Sequence, residues 1–180
     1  NGITNGQMGA TQWSQDLTSP NLLYYVIDMN EATLTMNFDE PVRANTTDVL
    51  QVTLQAAGTS ANAYTLTGGN VSVQNGLQIV VTMKHFDMTQ MRAREDLLVG
   101  RYASYLSFTS TLLTDMNNNN VNALTNGAAM QTVLFKNDTL NPYIRAFDLD
   151  MNTEVLTMFF SETMLTRSLD CTDITLQNVD

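Results

Sequence analysis

One segment of this chain occurs twice. Residues 20–55, PNLLYYVIDMNEATLTMNFDEPVRANTTDVLQVTLQ, lie without a gap over residues 142–177, PYIRAFDLDMNTEVLTMFFSETMLTRSLDCTDITLQ, at a constant offset of 122 with about a third of positions identical. Asp28-Met29-Asn30 falls on Asp150-Met151-Asn152, Leu34-Thr35-Met36 on Leu156-Thr157-Met158, Phe38 on Phe160, Glu40 on Glu162 and Asp48 on Asp170. The offset carries backwards to pair Met8 with Met130, Trp13 with Phe135 and Asp16 with Asp138. A period of this length is the size of a domain with its own core, far too long for one coil of a solenoid. The chain therefore reads as a slice of a tandem array: 1–16 the closing strand of a preceding repeat, 17–138 a complete repeat, and 139–180 the opening part of the next.

Within the complete repeat the hydrophobic pattern has a period of two. Leu34, Met36 and Phe38 alternate with Thr33, Thr35 and Asn37, as on a half-buried strand, and the copy keeps Leu, Met and Phe on the same face. Strands are expected at 22–27, 32–38 (ended by Glu40-Pro41), 49–54, 63–67, 77–83, 103–109 and 130–135, with 71–73 as a short extension. Asn75-Gly76 signals a tight hairpin turn. Residues 87–98 break the alternation. Asp87 stands three residues before Gln90, as in a capping box, and Met88, Met91, Leu97 and Leu98 share an apolar side, which predicts a short helix crossing between two sheets. Leu34, Met36, Phe38, Leu50, Val52, Leu54, Leu106 and Phe108 are the expected inward residues. About seven short strands with a turn every eight to twelve residues predict an all-β fold: immunoglobulin-like antiparallel β-sandwich repeats in tandem, with one short helix per repeat. A different sandwich or a jelly roll is the alternative.

Charge narrows the function classes. Eight Lys and Arg stand against 18 Asp and Glu, a formal net charge of −10, which argues against nucleic acid and anionic membrane surfaces as partners. Nothing in the sequence has the length of apolar run that spans a bilayer.

The order YYVIDMNEATLTMNFDEPV, DVLQVTLQ, YTLTGG, FDMTQMRAREDLLV, YASYLSF and TDMNNNNVNAL resembles the bacterial-type Ig-like repeats of surface-layer and adhesin proteins. It is closer still to the repeat arrays of algal and protist extracellular proteins, including flagellar hair (mastigoneme) proteins and surface adhesives. The loop after TDM departs from the Asp-x-x-Gly-Asn form of such repeats, with Asn118 and Asn119 in place of a glycine. The resemblance implies an extracellular or cell-surface location and a structural role.

The residues that carry chemistry are few. The only histidine, His85, ends an alternating strand and reads as structural; no nucleophile elbow, phosphate loop or zinc spacing occurs, so an enzyme is not expected. The eleven methionines read as adaptable core filler. In a sandwich the first turn, Asp28, Asn30 and Glu31, the helix connection at Asp87 and the linker Asp138 face the next repeat. Such an oxygen-rich joint is a candidate for calcium at affinities on the order of 0.1–1 mM. The alternative is that these side chains only make turns.

Three sequons offer N-linked glycan sites at Asn45, Asn70 and Asn137, each expected in a loop or at a strand end. The one cysteine, Cys171, is either a small buried apolar side chain or half of a disulfide whose partner lies outside this sequence. The expected function is a structural segment of a glycoprotein filament, with neighbouring repeats and copies of itself as partners. The alternative is an adhesive or carbohydrate-binding module using Tyr24, Tyr25, Tyr64 and Tyr102.

Overall fold

The computed structural model describes residues 12–177. Its strands are β1 (Leu22–Asp28), β2 (Thr33–Val42), β3 (Val52–Gln55), β4 (Ala63–Thr65), β5 (Gly69–Val71), β6 (Gly76–Met83), β7 (Tyr105–Phe108), β8 (Met130–Gln131), β9 (Leu134–Lys136), β10 (Ile144–Asp150) and β11 (Val155–Phe160). One α-helix, α1 (His85–Arg92), joins β6 to β7. No described helix is long and apolar enough to cross a membrane. The fold is mainly β, in three sheets ordered β5-β6-β2-β1-β9, β4-β3-β7-β8 and β10-β11.

The first two sheets share one core. Tyr25, Ile27, Leu34, Met36, Ile79 and Val81 from one meet Val52, Leu54, Leu106 and Phe108 from the other, all buried. Met88, Met91, Leu97 and Leu98, from α1 and the turn after it, join the same cluster. The helix thus carries the chain from one sheet to the other, as its break in the alternating pattern predicts.

The chain returns across the sandwich at Thr132. Its N–H donates to Ser104 O at 3.0 Å in the β7 sheet, while the next residue, Val133, donates to Tyr25 O at 3.1 Å in the β1 sheet. The expected single closing strand 130–135 is therefore two short ones, β8 antiparallel to β7 and β9 parallel to β1. That parallel pair departs from an all-antiparallel sandwich. Tyr25 bolts the same crossing from within: its hydroxyl donates to Ser104 O at 2.8 Å, and burial pushes the phenol pKa up.

Other departures have local causes. Strand β3 starts only at Val52, because Asp48 accepts from Leu50 N at 3.1 Å and turns residues Val49–Gln51 into a 3-10 helix. That rotation buries Val49 and leaves Leu50 55 % exposed, the reverse of the expected alternation. Strand β2 runs through Glu40-Pro41 to Val42, its pairing with β6 shifting register between Asn37 and Val42. As Asn75-Gly76 signals, β6 pairs antiparallel with the preceding β5, but the turn is not a tight one: Asn75 Oδ1 accepts from Ala44 N at 3.0 Å, and Gly76 pairs with Val42. The helix begins at His85, two residues before the expected cap, and ends at Arg92. Ser107 is buried beside Leu106 and Phe108, its hydroxyl satisfied by Gln55 Oε1 at 2.9 Å. The strand expected over 1–16 falls largely outside the described residues, and residues 12–16 form none.

Past residue 138 the chain repeats its opening moves. In β1–β2, Leu22 pairs with Phe38 and Tyr24 with Asn37, with a bulge between; in β10–β11, Ile144 pairs with Phe160 and Ala146 with Phe159, with the same bulge. Asp28 Oδ1 accepts from Asn30 N and Glu31 N, and Asp150 Oδ1 from Asn152 N and Thr153 N. Ala32 and Glu154 close these turns in the left-handed region, at φ 51 and 59. Asp48 and Asp170 each cap a following 3-10 helix. The sequence offset is thus also a geometric one.

Tyr25→Phe should lower stability by about 0.5–1.5 kcal/mol, since it removes one buried hydrogen bond while Thr132 N still satisfies the Ser104 carbonyl. Urea unfolding should show a lower midpoint at unchanged slope; an unchanged midpoint would mean that the Ser104 bond contributes nothing.

Candidate junction site

Residues 137–143 connect the two-sheet core to the second hairpin, and one side chain spans the connection. Arg92 is the last residue of α1, where the helix's terminal carbonyls favour a cation. Its Nη2 donates to Met29 O at 3.2 Å and to Asp138 Oδ2, and its Nη1 lies 3.2 Å from Glu162 Oε2. A single planar guanidinium therefore holds the β1–β2 turn, the connecting segment and the residues that follow β11. Its fork geometry makes this possible, because a lysine would present one point charge where Arg92 engages two carboxylates and a carbonyl. Arg92, Asp138 and Glu162 side chains are 22 %, 21 % and 15 % exposed, shielded enough for the pairs to matter.

Two further links flank it. Asn30 Oδ1 accepts from Thr139 N at 2.8 Å, and Asn30 Nδ2 donates to Thr139 Oγ1 at 3.2 Å. Arg167 reaches Glu95 at 3.2 Å, with both side chains about two-thirds exposed, so that pair contributes little. Burial and the adjoining Asp138 carboxylate push the Glu162 pKa up against the pull of Arg92.

The four residues expected to hold calcium do not assemble as a ligand set. Asp28 is occupied within its turn and by Lys136 Nζ at 2.8 Å; the Lys136 ammonium and the turn N–H groups hold its carboxyl below the ordinary value, and Lys136 is raised in return. Asp87 is fully buried, accepting from Tyr64 Oη at 2.8 Å, Thr67 N at 3.0 Å and Thr67 Oγ1 at 2.7 Å. It pins α1 to the end of β4 instead of capping the helix. The Tyr64 hydroxyl that donates to it is pushed up to about 12 by burial and by Asp87. Asn30 and Asp138 serve the junction already described, and Glu31 is exposed. Among the described residues the carboxylates that converge are Asp16, Glu40 and Asp115, with oxygens within 4.8 Å of one another. That trio was not expected, although Asp16 and Glu40 are matched by the repeat to Asp138 and Glu162.

The remaining candidates separate by exposure. Asn45, Asn70 and Asn137 all present exposed side chains; Asn70 lies inside the edge strand β5 instead of in a loop. Of the four tyrosines, Tyr25 is fully buried and Tyr64 is half-buried under the Arg94 guanidinium, 5.3 Å from its ring, which leaves Tyr24 and Tyr102 exposed. His85 is exposed at the helix start. Cys171 is exposed, whereas Val49, which it matches in the complete repeat, is buried. The exposure of Cys171 is shared with Ile144, Phe147 and Leu149, whose matches are also buried in the first unit.

No protein-family model, curated protein or solved structure matches this chain.

Two outcomes test this geometry. Arg92→Ala should leave the β1–β9 core folded but raise amide exchange in residues 139–165 several-fold, while Arg167→Ala should change little; equal effects would show that Arg92 is no pin. Asp87→Ala should cost about 2–4 kcal/mol by leaving its buried donors unpaired. The loss should be the same in calcium chloride and in chelator, and a calcium-dependent loss would restore Asp87 as a ligand.

Proposed function

We propose that this chain is a segment of an extracellular structural filament built from tandem Ig-like sandwich repeats, as in a flagellar hair, and that its work is to hold length and stiffness. The observation that carries the reading is the second hairpin. It reproduces the bulge, turn, left-handed residue and capped 3-10 helix of the first, at the offset read from sequence.

Strand order supports the Ig-like part. Taken in chain order as A, B, C, C′, D, E, F and G, the strands β1 to β8 lie as D-E-B-A in one sheet and C′-C-F-G in the other, the arrangement of immunoglobulin-type sandwiches. In this reading residues 17–138 are one repeat and residues 139–180 open the next. The apolar faces of β10 and β11 support it, since Ile144, Phe147 and Leu149 are 52 %, 58 % and 43 % exposed where their matches Leu22, Tyr25 and Ile27 are buried. Such a face needs a second sheet.

Stiffness comes from the junction. Arg92 and Asn30 fix consecutive repeats at two places, so each joint resists bending as well as stretching. Exposed sequon asparagines accommodate N-linked glycans in such a filament. The adhesive reading relies on four aromatic side chains, of which Tyr25 is buried and Tyr64 is tied to Asp87. The filament reading is therefore the one advanced.

Pulling single molecules of the native protein should give evenly spaced unfolding events, each releasing contour on the order of 400 Å for a 122-residue repeat. Irregular spacing, or a single large event, would count against an array. Peptide mass spectrometry of the native material should find glycan on at least one of Asn45, Asn70 and Asn137.

A further inference from the structure

Asp16 and Glu40 stand in the first unit where Asp138 and Glu162 stand in the second. The match reaches hydrogen bonding: Asp16 Oδ1 accepts from Thr18 N and Asp138 Oδ1 from Leu140 N, both at 3.0 Å and 122 residues apart in sequence. At the second position a ligand is present, because Arg92 bridges Asp138 and Glu162. At the first, no described cation pairs with either carboxylate. The nearest arginine in sequence, Arg43, is committed to Met116 O at 2.6 Å and Asn118 Oδ1 at 2.7 Å.

The first position also has a third carboxylate. Asp115 is 1 % exposed and held in place by Asn117 N at 2.8 Å, Asn119 N at 2.7 Å and Asn119 Nδ2 at 2.8 Å. Three carboxylates within 4.8 Å repel one another unless a cation is shared among them. The Glu40 carboxyl is raised by burial first and then by Asp16, Asp115 and Asp39, while hydrogen bonds from Thr18 hold Asp16 below its ordinary value.

We propose that Asp16, Glu40 and Asp115 form the acceptor for an arginine guanidinium presented by the helix end of the neighbouring repeat on the N-terminal side, as Arg92 is presented to Asp138 and Glu162. This rests on the tandem-repeat reading and gives it a specific lock. Each repeat carries a guanidinium plug at the end of its helix and a carboxylate socket beside its second strand. Joining is directional, since plug and socket lie on different elements, and it is sensitive to charge.

The test adds one repeat. A chain made of residues 1–138 followed by residues 17–180 creates a new joint, in which Arg92 and Asp138 of the first copy meet Glu40 and Asp115 of the inserted copy. Carboxyl-carbon NMR of the inserted Glu40 should show it titrating about 1–3 pH units below Glu40 in the parent chain, with Arg92→Gln in the first copy restoring the parent value. Glu40→Gln should raise the melting temperature of the parent at pH 7, where it relieves repulsion, and lower that of the inserted unit, where it removes a partner.

An inserted unit that folds while its Glu40 titrates as in the parent would overturn the socket and leave the repeat reading standing. An inserted unit that does not fold would overturn the repeat reading itself. Calcium chloride at millimolar concentration is the control on the parent chain. Saturable shifts at Asp16, Glu40 and Asp115 would make the trio a metal site and overturn the proposal; no shift is expected.

Discussion

Everything else in this molecule depends on covering one face of a bulged β-hairpin. The chain contains that hairpin twice, and the contrast between the copies isolates the effect. In β1–β2 the inward residues Tyr25, Ile27, Leu34 and Met36 are fully buried against β3, β7 and the residues around α1. In β10–β11 the hydrogen-bonded register is the same, yet Phe147 and Leu149, the matches of Tyr25 and Ile27, remain about half exposed, and Leu156 and Met158, the matches of Leu34 and Met36, are only partly covered. Each large apolar side chain gains about 1.5–3 kcal/mol when it is fully buried, so a sandwich's stability lies mostly in the second sheet. Hairpin geometry is local, set by the Asx turn and the bulge, and survives without that cover.

The devices that keep the two sheets together are few and polar. Tyr25 and Thr132 fasten the point where the chain leaves one sheet for the other, and Asp87 fastens the helix that makes the opposite passage. Each is a buried group with its partners supplied, which fixes a register where apolar packing alone would tolerate slippage. Arg92 applies the same logic at the surface. Placed at the end of the connecting helix, it links the core's packing to the direction in which the chain continues, so the angle of the joint follows from the position of α1.

Much of this was legible in the residues. The 122-residue offset foretold both hairpins, and alternation identified Leu34, Met36, Phe38, Val52, Leu54, Leu106 and Phe108 as buried. What stayed hidden was in part local and in part long-range. Leu50 looked inward because a period of two was extended across a 3-10 turn that only the Asp48 cap reveals. Met130–Phe135 looked like one strand because a change of sheet leaves no mark on hydrophobic pattern. Asp28 and Asp87 looked like cation ligands because a carboxylate in a turn reads the same whether its partner is an ion, a lysine or three buried donors. Asp16 and Glu40 were visible as matched positions, but their meaning required seeing Arg92 on the second pair.

The central claim is that residues 22–136 close a core of their own while residues 144–177 carry a hairpin whose apolar face no described residue fully covers. Native-state hydrogen exchange measures this residue by residue. The account predicts that amides of β1, β2, β6 and β7 exchange only through one shared global opening, and that amides of β10 and β11 exchange orders of magnitude faster with a denaturant dependence of their own. A single protection level and a common opening across both hairpins would contradict it.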